Sequence, residues 1–214
     1  MNTRKHDSTF MDIDFQLISA EQKQLERQIK REALMQVAVK FFNQYGYHAT
    51  SLDDVAQSLK ISKPTIYHYL GNKEQVLLTC LEAGVQHLLQ AAEEVAQKDL
   101  SGGERIKAFL YLYGLRNLDD FGRCVTLTND DVLSEAGRQQ FRQQKRQVHQ
   151  AFVDLLEQAI AEGAISQHHH PKLLAVTLTG AMNSAAKWYS EQGPLSKEEI
   201  VTQMVEILSQ GFEK

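Results

Sequence analysis

Polar and aromatic side chains that can form hydrogen bonds are concentrated in one short stretch, residues 63–73. They are Lys63, Thr65, Tyr67, His68, Tyr69 and Lys73. Ammonium, hydroxyl, phenol and imidazole groups donate hydrogen bonds to phosphate oxygens and to base edges, which makes DNA the expected partner. The alternative is that the three successive large side chains, residues 67–69, pack a small core. Because they cannot all face one side of a helix, at least one of them must be exposed.

Two short helices joined by a tight turn are predicted to position these side chains. Ser51 precedes the first helix, and Asp54 follows three residues later, which is the spacing of a capping box. Ser62 is expected to cap the second helix, with Pro64 in its first turn, where a missing N–H costs nothing. The pattern predicts a helix-turn-helix, whose second helix places its N-terminal residues at base edges in the major groove.

The second helix has a predicted inner side and a predicted outer side. Ile66 and Leu70 are four residues apart and face the same way, into a three-helix core. The polar and aromatic side chains are left on the outer faces. Gly71 and Asn72 are expected to end the helix because both tolerate a positive φ. Lys73 then opens a long helix.

Residues 31–77 resemble the DNA-binding domain of the TetR family of bacterial transcriptional repressors. The resemblance rests on three segments, which are Arg-Glu-Ala-Leu-Met-Gln-Val-Ala (31–38), Phe-Phe-Asn-Gln-Tyr-Gly-Tyr-His-Ala-Thr-Ser (41–51) and Ser-Lys-Pro-Thr-Ile-Tyr-His-Tyr-Leu-Gly-Asn-Lys-Glu (62–74). It implies a DNA-facing set made of Lys63, Pro64, Thr65, Tyr67, His68 and Tyr69. It also implies that Thr50 and Lys73 hold phosphates at the ends of their helices.

The chain as a whole is predicted to be all-α, since it has three prolines and no strongly alternating β pattern of useful length. A three-helix, helix-turn-helix DNA-binding domain is assigned to residues 21–75. A helical ligand-binding and dimerisation domain is assigned to residues 76–214. Residues 1–20 are expected to form a flexible arm. Its basic side chains either reach a minor groove or have no role, and they are Arg4, Lys5 and His6.

The charge distribution supports DNA contact at one end of the molecule, although the net charge is −4. Residues 23–75 carry eight lysines and arginines against five acids. Residues 76–214 carry thirteen against eighteen. A locally basic module on an acidic body is typical of a protein that touches DNA with one domain. The small excess predicts a moderate dependence of DNA binding on salt.

Further helices are predicted in residues 76–214. Long helices are expected at 74–97 and 137–162, each ending close to a glycine or polar break. Residues 119–129 are expected to be irregular, with a short helix following through Glu135.

The last two predicted helices suggest a homodimer. The helix from Leu173 to Trp188 contains small side chains that let two helices approach closely, which are Gly180, Ala181, Ser184, Ala185 and Ala186. The final helix, with a capping box at Ser196 and Glu199, is apolar over much of its girth. The two helices are predicted to form a four-helix bundle with a second copy of the chain. The alternative is that both complete a monomeric core.

A small-molecule ligand is expected among the middle helices, where apolar and aromatic side chains surround a few polar ones. The candidates, each equally compatible with plain core, are Phe109, Tyr113, Phe152, Leu156, Met182, Asn183 and Trp188. A ligand that prefers the form unable to bind DNA lowers the affinity for the operator. No cofactor is expected beyond this effector.

A second resemblance concerns the class of effector. Trp188-Tyr189 and the Gly-Pro-Leu-Ser turn at 193–196 are similar to a TetR branch whose members often sense fatty-acyl or other acyl-CoA thioesters. An acyl chain needs an apolar tunnel, and the CoA phosphates need basic groups at its mouth. The candidates for these basic groups, which otherwise form a solvated helix face, are Arg138, Arg142, Lys145 and Arg146.

Catalytic, metal and redox chemistry have weaker support. No Glu-x-x-His tetrapeptide of the di-iron type and no glycine-rich phosphate loop occur, so an enzyme is not expected. The adjacent histidines 168–170 lie in a predicted loop, where neighbours rarely converge on one ion, so no metal site is predicted. Cys124 beside Arg123 would sense oxidants only as an exposed thiolate, and a buried cysteine is the preferred alternative.

A cytoplasmic protein with no membrane association is expected. The sequence has no run of eighteen apolar residues and no apolar signal core near its start. The residues together predict a ligand-responsive repressor that binds a palindromic operator as a homodimer. One alternative is a DNA-binding protein of the same type that acts through a protein partner. Another is a regulator of a different effector class, such as a hydrophobic drug.

Overall fold

The structure, a computed structural model, describes residues 8–212, with side chains from residue 21 onward. This part of the chain contains nine α-helices, one 3-10 turn and no β-strand, so the predicted all-α fold is confirmed. The helices are α1 (Ser8–Tyr45), α2 (Leu52–Ser58), α3 (Lys63–Leu70), α4 (Lys73–Ala96), α5 (Gly102–Leu118), α6 (Asp120–Leu127), α7 (Glu135–Ala161), α8 (Pro171–Trp188) and α9 (Lys197–Ser209). The 3-10 turn, Asp130–Val132, lies between α6 and α7.

The C-terminal half of α1 packs with α2 and α3 around a small apolar core. Helices as short as α2 and α3 are not stable alone, so this shared core holds them in place. Its buried side chains include Ala38, Val39, Phe42, Leu52, Val55, Ile66 and Leu70. The burial of Ile66 and Leu70 confirms the predicted inner side of α3.

α4 connects this N-terminal unit to a larger helical body. It begins two residues after α3 ends, and it packs against α5, α6 and α7. The rings of Phe109 on α5 and Phe152 on α7 stack with centroids 4.2 Å apart. α8 and α9 also pack on α5. Because α4 belongs to both units, a shift of α4 within the body also moves the N-terminal unit.

Two predicted helix boundaries in the body are confirmed. At the start of α9, the Ser196 hydroxyl accepts from the backbone N–H of Glu199 at 3.2 Å. The Glu199 carboxylate in turn accepts from the N–H of Ser196 at 2.8 Å, which completes the capping box. Gly163 follows α7 with a φ of 75°, a left-handed conformation that favours glycine.

The first helix begins earlier than predicted. α1 starts at Ser8 and not at Glu21, so residues 8–20 of the expected arm continue this helix. The basic side chains Arg4, Lys5 and His6 lie outside the described residues. Among residues 8–212, no helix combines the length and the apolar character that crossing a lipid bilayer requires.

The segment 119–129 also differs from the prediction, which was irregular structure. Most of it forms α6, which follows α5 with a sharp corner. Gly122 makes this corner possible, because a Cβ there would collide with the carbonyl oxygen of Arg116. α6 packs closely on α4, a distant contact that no local pattern reveals. The short helix expected before Glu135 is only the 3-10 turn.

Candidate nucleic-acid interface and internal cavity

Local hydrogen bonds define the turn between α2 and α3. The Ser51 hydroxyl accepts from the N–H of Asp54 at 3.1 Å, and the Asp54 carboxylate accepts from the N–H of Ser51 at 3.3 Å. The Ser62 hydroxyl accepts from the N–H of Thr65 at 3.3 Å. Both predicted caps are therefore confirmed. Lys60 has a φ of 54° and turns the chain without a glycine.

The outer faces of α3 carry the polar and aromatic set predicted from sequence. Lys63, Pro64, Tyr67 and His68 are exposed, and Thr65 and Tyr69 are half-buried. Tyr67 is 48% exposed although it is a large aromatic residue. A helix of this length with a polar and aromatic outer surface suits insertion into the major groove of DNA.

Lys63 already has a partner within the N-terminal unit. Its ammonium group donates to the carboxylate of Asp53 at 2.5 Å. This hydrogen bond and the negative charge of Asp53 raise the pKa of Lys63, so the side chain carries a full positive charge at neutral pH. A phosphate near α3 would have to compete with Asp53 for this ammonium group.

The end of α3 is formed by Gly71 alone. Gly71 has a φ of 75°, as a glycine at a helix C-terminus often does. Asn72 was expected to share this role, but its φ is −85°. Its side chain instead accepts from the N–H of Gln75 at 2.9 Å and caps α4. The prediction for Asn72 was therefore wrong, because a short polar side chain also suits the start of a helix.

Thr50 and Lys73 flank the helix-turn-helix in different ways. The side chain of Thr50 is 3% exposed, and its hydroxyl donates to the carbonyls of Phe41 and Gly46 at 3.1 and 2.9 Å. Thr50 thus stabilises the turn between α1 and α2. The ammonium group of Lys73 lies 4.2 Å from the centroid of the Tyr47 ring, and burial lowers its pKa. Lys73 remains half-exposed at the start of α4.

A cavity of about 440 Å³ lies in the helical body, in contact with α4, α5, α6, α7 and α8. Its apolar wall consists of Val85, Leu88, Val125 and Val148. Its cationic and imidazole groups are Lys145, His149 and Lys187. Tyr113 and Asn183 form a polar contact at the same cavity, where the phenol donates to the amide oxygen at 2.8 Å. This size and lining suit a small amphipathic anion.

The seven residues predicted to line a ligand site fall into three groups. Tyr113 and Asn183 line the cavity. Four others are fully buried in the packed core and do not line it, and they are Phe109, Phe152, Leu156 and Met182. Trp188 is 57% exposed on the surface of α8. The sequence gave no signal for Thr126, Thr128 or Lys187, because these residues meet only through long-range packing.

The four basic residues of α7 predicted for phosphates are also separated by the structure. Lys145 lines the cavity, and its ammonium group donates to Asp130 at 2.7 Å. Arg142 donates to the other carboxylate oxygen of Asp130 at 2.7 Å. Arg138 donates to the backbone carbonyl of Asp130 at 3.2 Å. Arg146 is exposed to solvent.

A second cavity, of about 520 Å³, lies beside α6 and the loop between α8 and α9. Its lining carries charges of both signs, from Asp119, Asp120, Arg123, Glu191, Lys197 and Glu198. Lys197 donates to Asp119 at 2.8 Å, so these two charges are paired within the protein. The cavity in the helical body, with its apolar wall, is the better candidate for an amphipathic ligand.

The two cysteines are buried and lie on α4 and α6. Burial raises the pKa of Cys124 to about 12, and it also raises the pKa of Cys80. Both are therefore protonated thiols at neutral pH, which agrees with the preferred alternative to redox sensing. Within residues 8–212, no group of three or more His, Cys, Asp or Glu side chains is arranged to hold a metal ion.

One face of α8 and α9 exposes large apolar side chains. Leu173, Val176 and Trp188 on α8 are 67%, 57% and 57% exposed, and Ile207 on α9 is 67% exposed. Gly180 lies on the same face of α8, and a Cβ there would meet no atom of this chain within 4 Å. An exposed apolar surface of this kind is typical of a protein–protein interface.

A helix-turn-helix with an exposed polar recognition helix, joined to a helical body that contains a cavity, defines a DNA-binding transcriptional regulator. The chain belongs to the TetR family. Residues 99–212 match the family model described as "Tetracyclin repressor-like, C-terminal domain". Residues 34–80 match the model described as "Bacterial regulatory proteins, tetR family".

Relatives with transcriptional roles match most of the chain. The transcriptional activator FasR of Mycolicibacterium smegmatis is 24% identical over 179 residues, which cover 83% of this chain and 80% of FasR. The transcriptional repressor KstR2 of the same species is 23% identical over 186 residues, which cover 86% of this chain and 90% of KstR2. The crystal structure of AibR in complex with isovaleryl coenzyme A and operator DNA has a TM-score of 0.71 and 22% identity, covering 83% of this chain and 96% of AibR.

Proposed function

We propose that this regulator is a homodimeric repressor, acting in the bacterial cytoplasm, that a small amphipathic anion releases from a palindromic operator. The observation that carries this proposal is the division of α3 into a buried inner side and an exposed polar and aromatic outer side. A surface of this kind costs stability nothing when it meets DNA, because it was never part of the core.

In the proposed complex, α3 enters the major groove. Thr65 can contact a thymine methyl group, while Lys63 and His68 can donate to purine acceptors. Tyr67 and Tyr69 donate to phosphates and fix the register of the helix. Lys73 contacts a phosphate at the start of α4. Pro64 contacts the groove through its ring, and Thr50 is left out because its hydroxyl is committed to backbone carbonyls.

The second copy of the chain is proposed to cover the exposed apolar face of α8 and α9. This face would become the centre of a four-helix bundle, with Gly180 allowing the two α8 helices to approach closely. A two-fold dimer presents two α3 helices to two half-sites about one helical turn of DNA apart. A single helix-turn-helix would bind DNA too weakly for specific repression.

The effector is proposed to be an acyl-CoA thioester that binds the cavity in the helical body. Its acyl chain would contact the apolar wall, and its phosphates would meet Lys145 and Lys187 at the mouth. The structural relative AibR, crystallised with isovaleryl coenzyme A, supports this effector class. A neutral hydrophobic drug is the second candidate, but it would leave two ammonium groups beside the cavity without a partner.

Two experiments test the proposed function. Purified protein is mixed with sheared DNA of its own genome, and the bound fragments are recovered and sequenced. Enrichment of a few palindromes supports the regulator, and uniform recovery that Tyr67→Ala and His68→Ala leave unchanged contradicts it. The recovered operator is then titrated with acyl-CoA thioesters of graded chain length. Release by none of them contradicts the proposed effector class, and recruitment of a protein partner remains as the alternative.

A further inference from the structure

Residues 127–132, which we call the partition segment, separate the cavity in the body from the DNA-binding unit. On one side, Thr128 lines that cavity. On the other side, Leu127, Thr128, Asn129 and Val132 line a groove of about 310 Å³. The opposite wall of this groove belongs to the turn between α1 and α2, and it includes Tyr47 and His48. A ligand in the body cavity is therefore one residue away from the surface that supports the helix-turn-helix.

Asp130 fastens the partition segment to α7. Its two carboxylate oxygens accept from Lys145 and Arg142, each at 2.7 Å, and its backbone carbonyl accepts from Arg138. Burial alone would raise the pKa of Asp130, but the hydrogen bonds and charges of Lys145 and Arg142 outweigh burial and lower it. The carboxylate is thus charged at neutral pH. Of its two side-chain partners, Lys145 lines the cavity and Arg142 does not.

The same region is also joined to the first turn of α4. The carboxylate of Glu74 accepts from the backbone N–H of Ser134 at 2.7 Å, and this contact lowers the pKa of Glu74. Glu74 follows Lys73, at the junction of the helix-turn-helix and α4. The stretch from Asp130 to Ser134 therefore contacts α7 at one end and the base of the DNA-binding unit at the other.

We propose that Lys145 is the residue that senses the anionic group of the effector, and that Asp130 is the group displaced from it. An effector phosphate or carboxylate at the cavity mouth competes with Asp130 for the Lys145 ammonium group. The freed partition segment then repacks against Tyr47 and His48 and shifts the helix-turn-helix. This inference rests on the proposed effector site and adds how occupation of that site reaches the DNA-binding unit.

The competition also explains a preference for anions. A neutral ligand of the same shape fills the apolar part of the cavity but leaves the ion pair between Lys145 and Asp130 intact. Only a ligand with differential affinity for the two forms shifts the equilibrium between them. The charge of the ligand, and not its volume, would therefore decide release.

The first test needs no effector. Operator affinity is measured for Asp130→Asn, Lys145→Gln, the double variant and the conservative Lys145→Arg. Asp130→Asn is expected to weaken operator binding about two- to fivefold, as expected for a partly exposed ion pair. Lys145→Gln should weaken it by no more than that, the double variant should be no weaker than Asp130→Asn, and Lys145→Arg should bind like the wild type.

Neighbouring exposed residues provide matched controls. Asp131→Asn and Arg146→Gln make the same changes of charge one residue away and should leave operator affinity unchanged. Circular dichroism and melting temperature establish that each variant is folded. A folded Asp130→Asn protein with wild-type operator affinity would overturn the inference. This arm decides it even if acyl-CoA thioesters prove to be the wrong ligands.

The second test separates charge from shape in the effector. Isovaleryl-CoA is compared with the isovaleryl thioester of N-acetylcysteamine, which has no phosphates. The wild type should respond to the CoA thioester at concentrations at least tenfold lower, and Lys145→Gln should lose most of this difference. If Lys145→Gln keeps the full preference for the CoA thioester, the sensing role of Lys145 is wrong while the proposed effector class stands.

Discussion

At the scale of single residues, the outer side chains of α3 contribute little to the packing of the protein. Tyr67 is 48% exposed, and His68 beside it is also exposed, whereas Ile66 between the α3 surface and the core is fully buried. Large aromatic groups left in water on a short helix have no stabilising role to explain them. Binding and stability should therefore separate cleanly when these residues are changed.

Tyr67→Ala and His68→Ala are expected to lower operator affinity roughly tenfold each, because each removes a contact at the groove or the phosphates. The melting temperature should stay within about 2 °C of the wild type, as for most surface substitutions. Fluorescence anisotropy with labelled operator measures the first quantity. His68 has a matched control in His168, an exposed histidine in the loop before α8, whose replacement by alanine should leave DNA binding unchanged.

Thr50 provides a second test at this scale. Thr50→Val keeps the shape of the side chain but removes the hydroxyl that donates to Phe41 and Gly46. Leaving these buried carbonyls unpaired should cost about 1–2 kcal/mol of unfolding free energy. Thr50→Ser retains the hydroxyl and should lose less, as denaturant unfolding would show. An unchanged stability together with weaker operator binding would instead indicate the phosphate contact that the family resemblance implies.

At the scale of elements, the corner between α5 and α6 depends on a single missing side chain. Gly122 lies where a Cβ would collide with the backbone of Arg116, and backbone atoms cannot move aside as a flexible side chain can. α6 also packs on both α4 and α1, and the side-chain amide of Asn43 on α1 donates to the carbonyl of Asp120 at 2.7 Å. The corner therefore places α6 against the helix that enters the DNA-binding unit.

Gly122→Ala is expected to destabilise the fold by about 2 kcal/mol or more, since overpacking typically costs this much. Gly103→Ala is the matched control, because a Cβ at Gly103 meets no atom within 4 Å and this residue lies inside α5. That change should stabilise the protein by about 0.5–1 kcal/mol. Thermal melts of the two variants should shift in opposite directions. A common direction would show that the corner tolerates a side chain.

At the scale of the whole molecule, the apolar face of α8 and α9 requires a covering partner. Its exposed leucine, valine, tryptophan and isoleucine side chains would otherwise remain in water on an acidic, charged protein. The helix-turn-helix lies at the other end of the α4 connection, so dimerisation through this face leaves α3 free. The proposed dimer therefore meets both requirements of the fold.

Ile207→Glu is expected to convert the dimer into a monomer at micromolar concentration, because it places a charge at the centre of the bundle. Sedimentation velocity measures the mass, and operator affinity should fall at least a hundredfold with the loss of the second half-site. Ile29→Glu makes the same change at an isoleucine on α1 that is 56% exposed. The control variant should sediment as a dimer. Dimeric Ile207→Glu protein would contradict the proposed interface.

The charge distribution predicts how the molecule as a whole responds to salt. The basic excess of the N-terminal unit is small and the body is acidic, so nonspecific attraction to DNA should be limited. Lys73→Gln should reduce the slope of log affinity against log salt by roughly one per protomer, because it removes one phosphate contact. A titration of operator binding between low and physiological salt tests this. An unchanged slope would remove Lys73 from the interface.

The sequence by itself determined the features whose causes are local. The serine caps of α2, α3 and α9, the left-handed glycines and the two sides of α3 all depend on residues at most four positions apart. For the same reason the outer set of α3 was predictable without a structure. The apolar pattern of the last two helices likewise indicated an interface before any exposure was known.

Tertiary structure decided the features that depend on distant residues. The existence of α6 follows from its packing on α4, and the cavity follows from how five helices meet. Of the seven predicted ligand residues, Tyr113 and Asn183 line the cavity, and the sequence could not distinguish them from Phe109 or Phe152 in the core. The contacts of Asp130 with Lys145, fifteen residues along the chain, are of the same kind. Periodicity shows which side of a helix is apolar, but only the packing of all the helices determines whether that side faces a cavity, the core or a second protein.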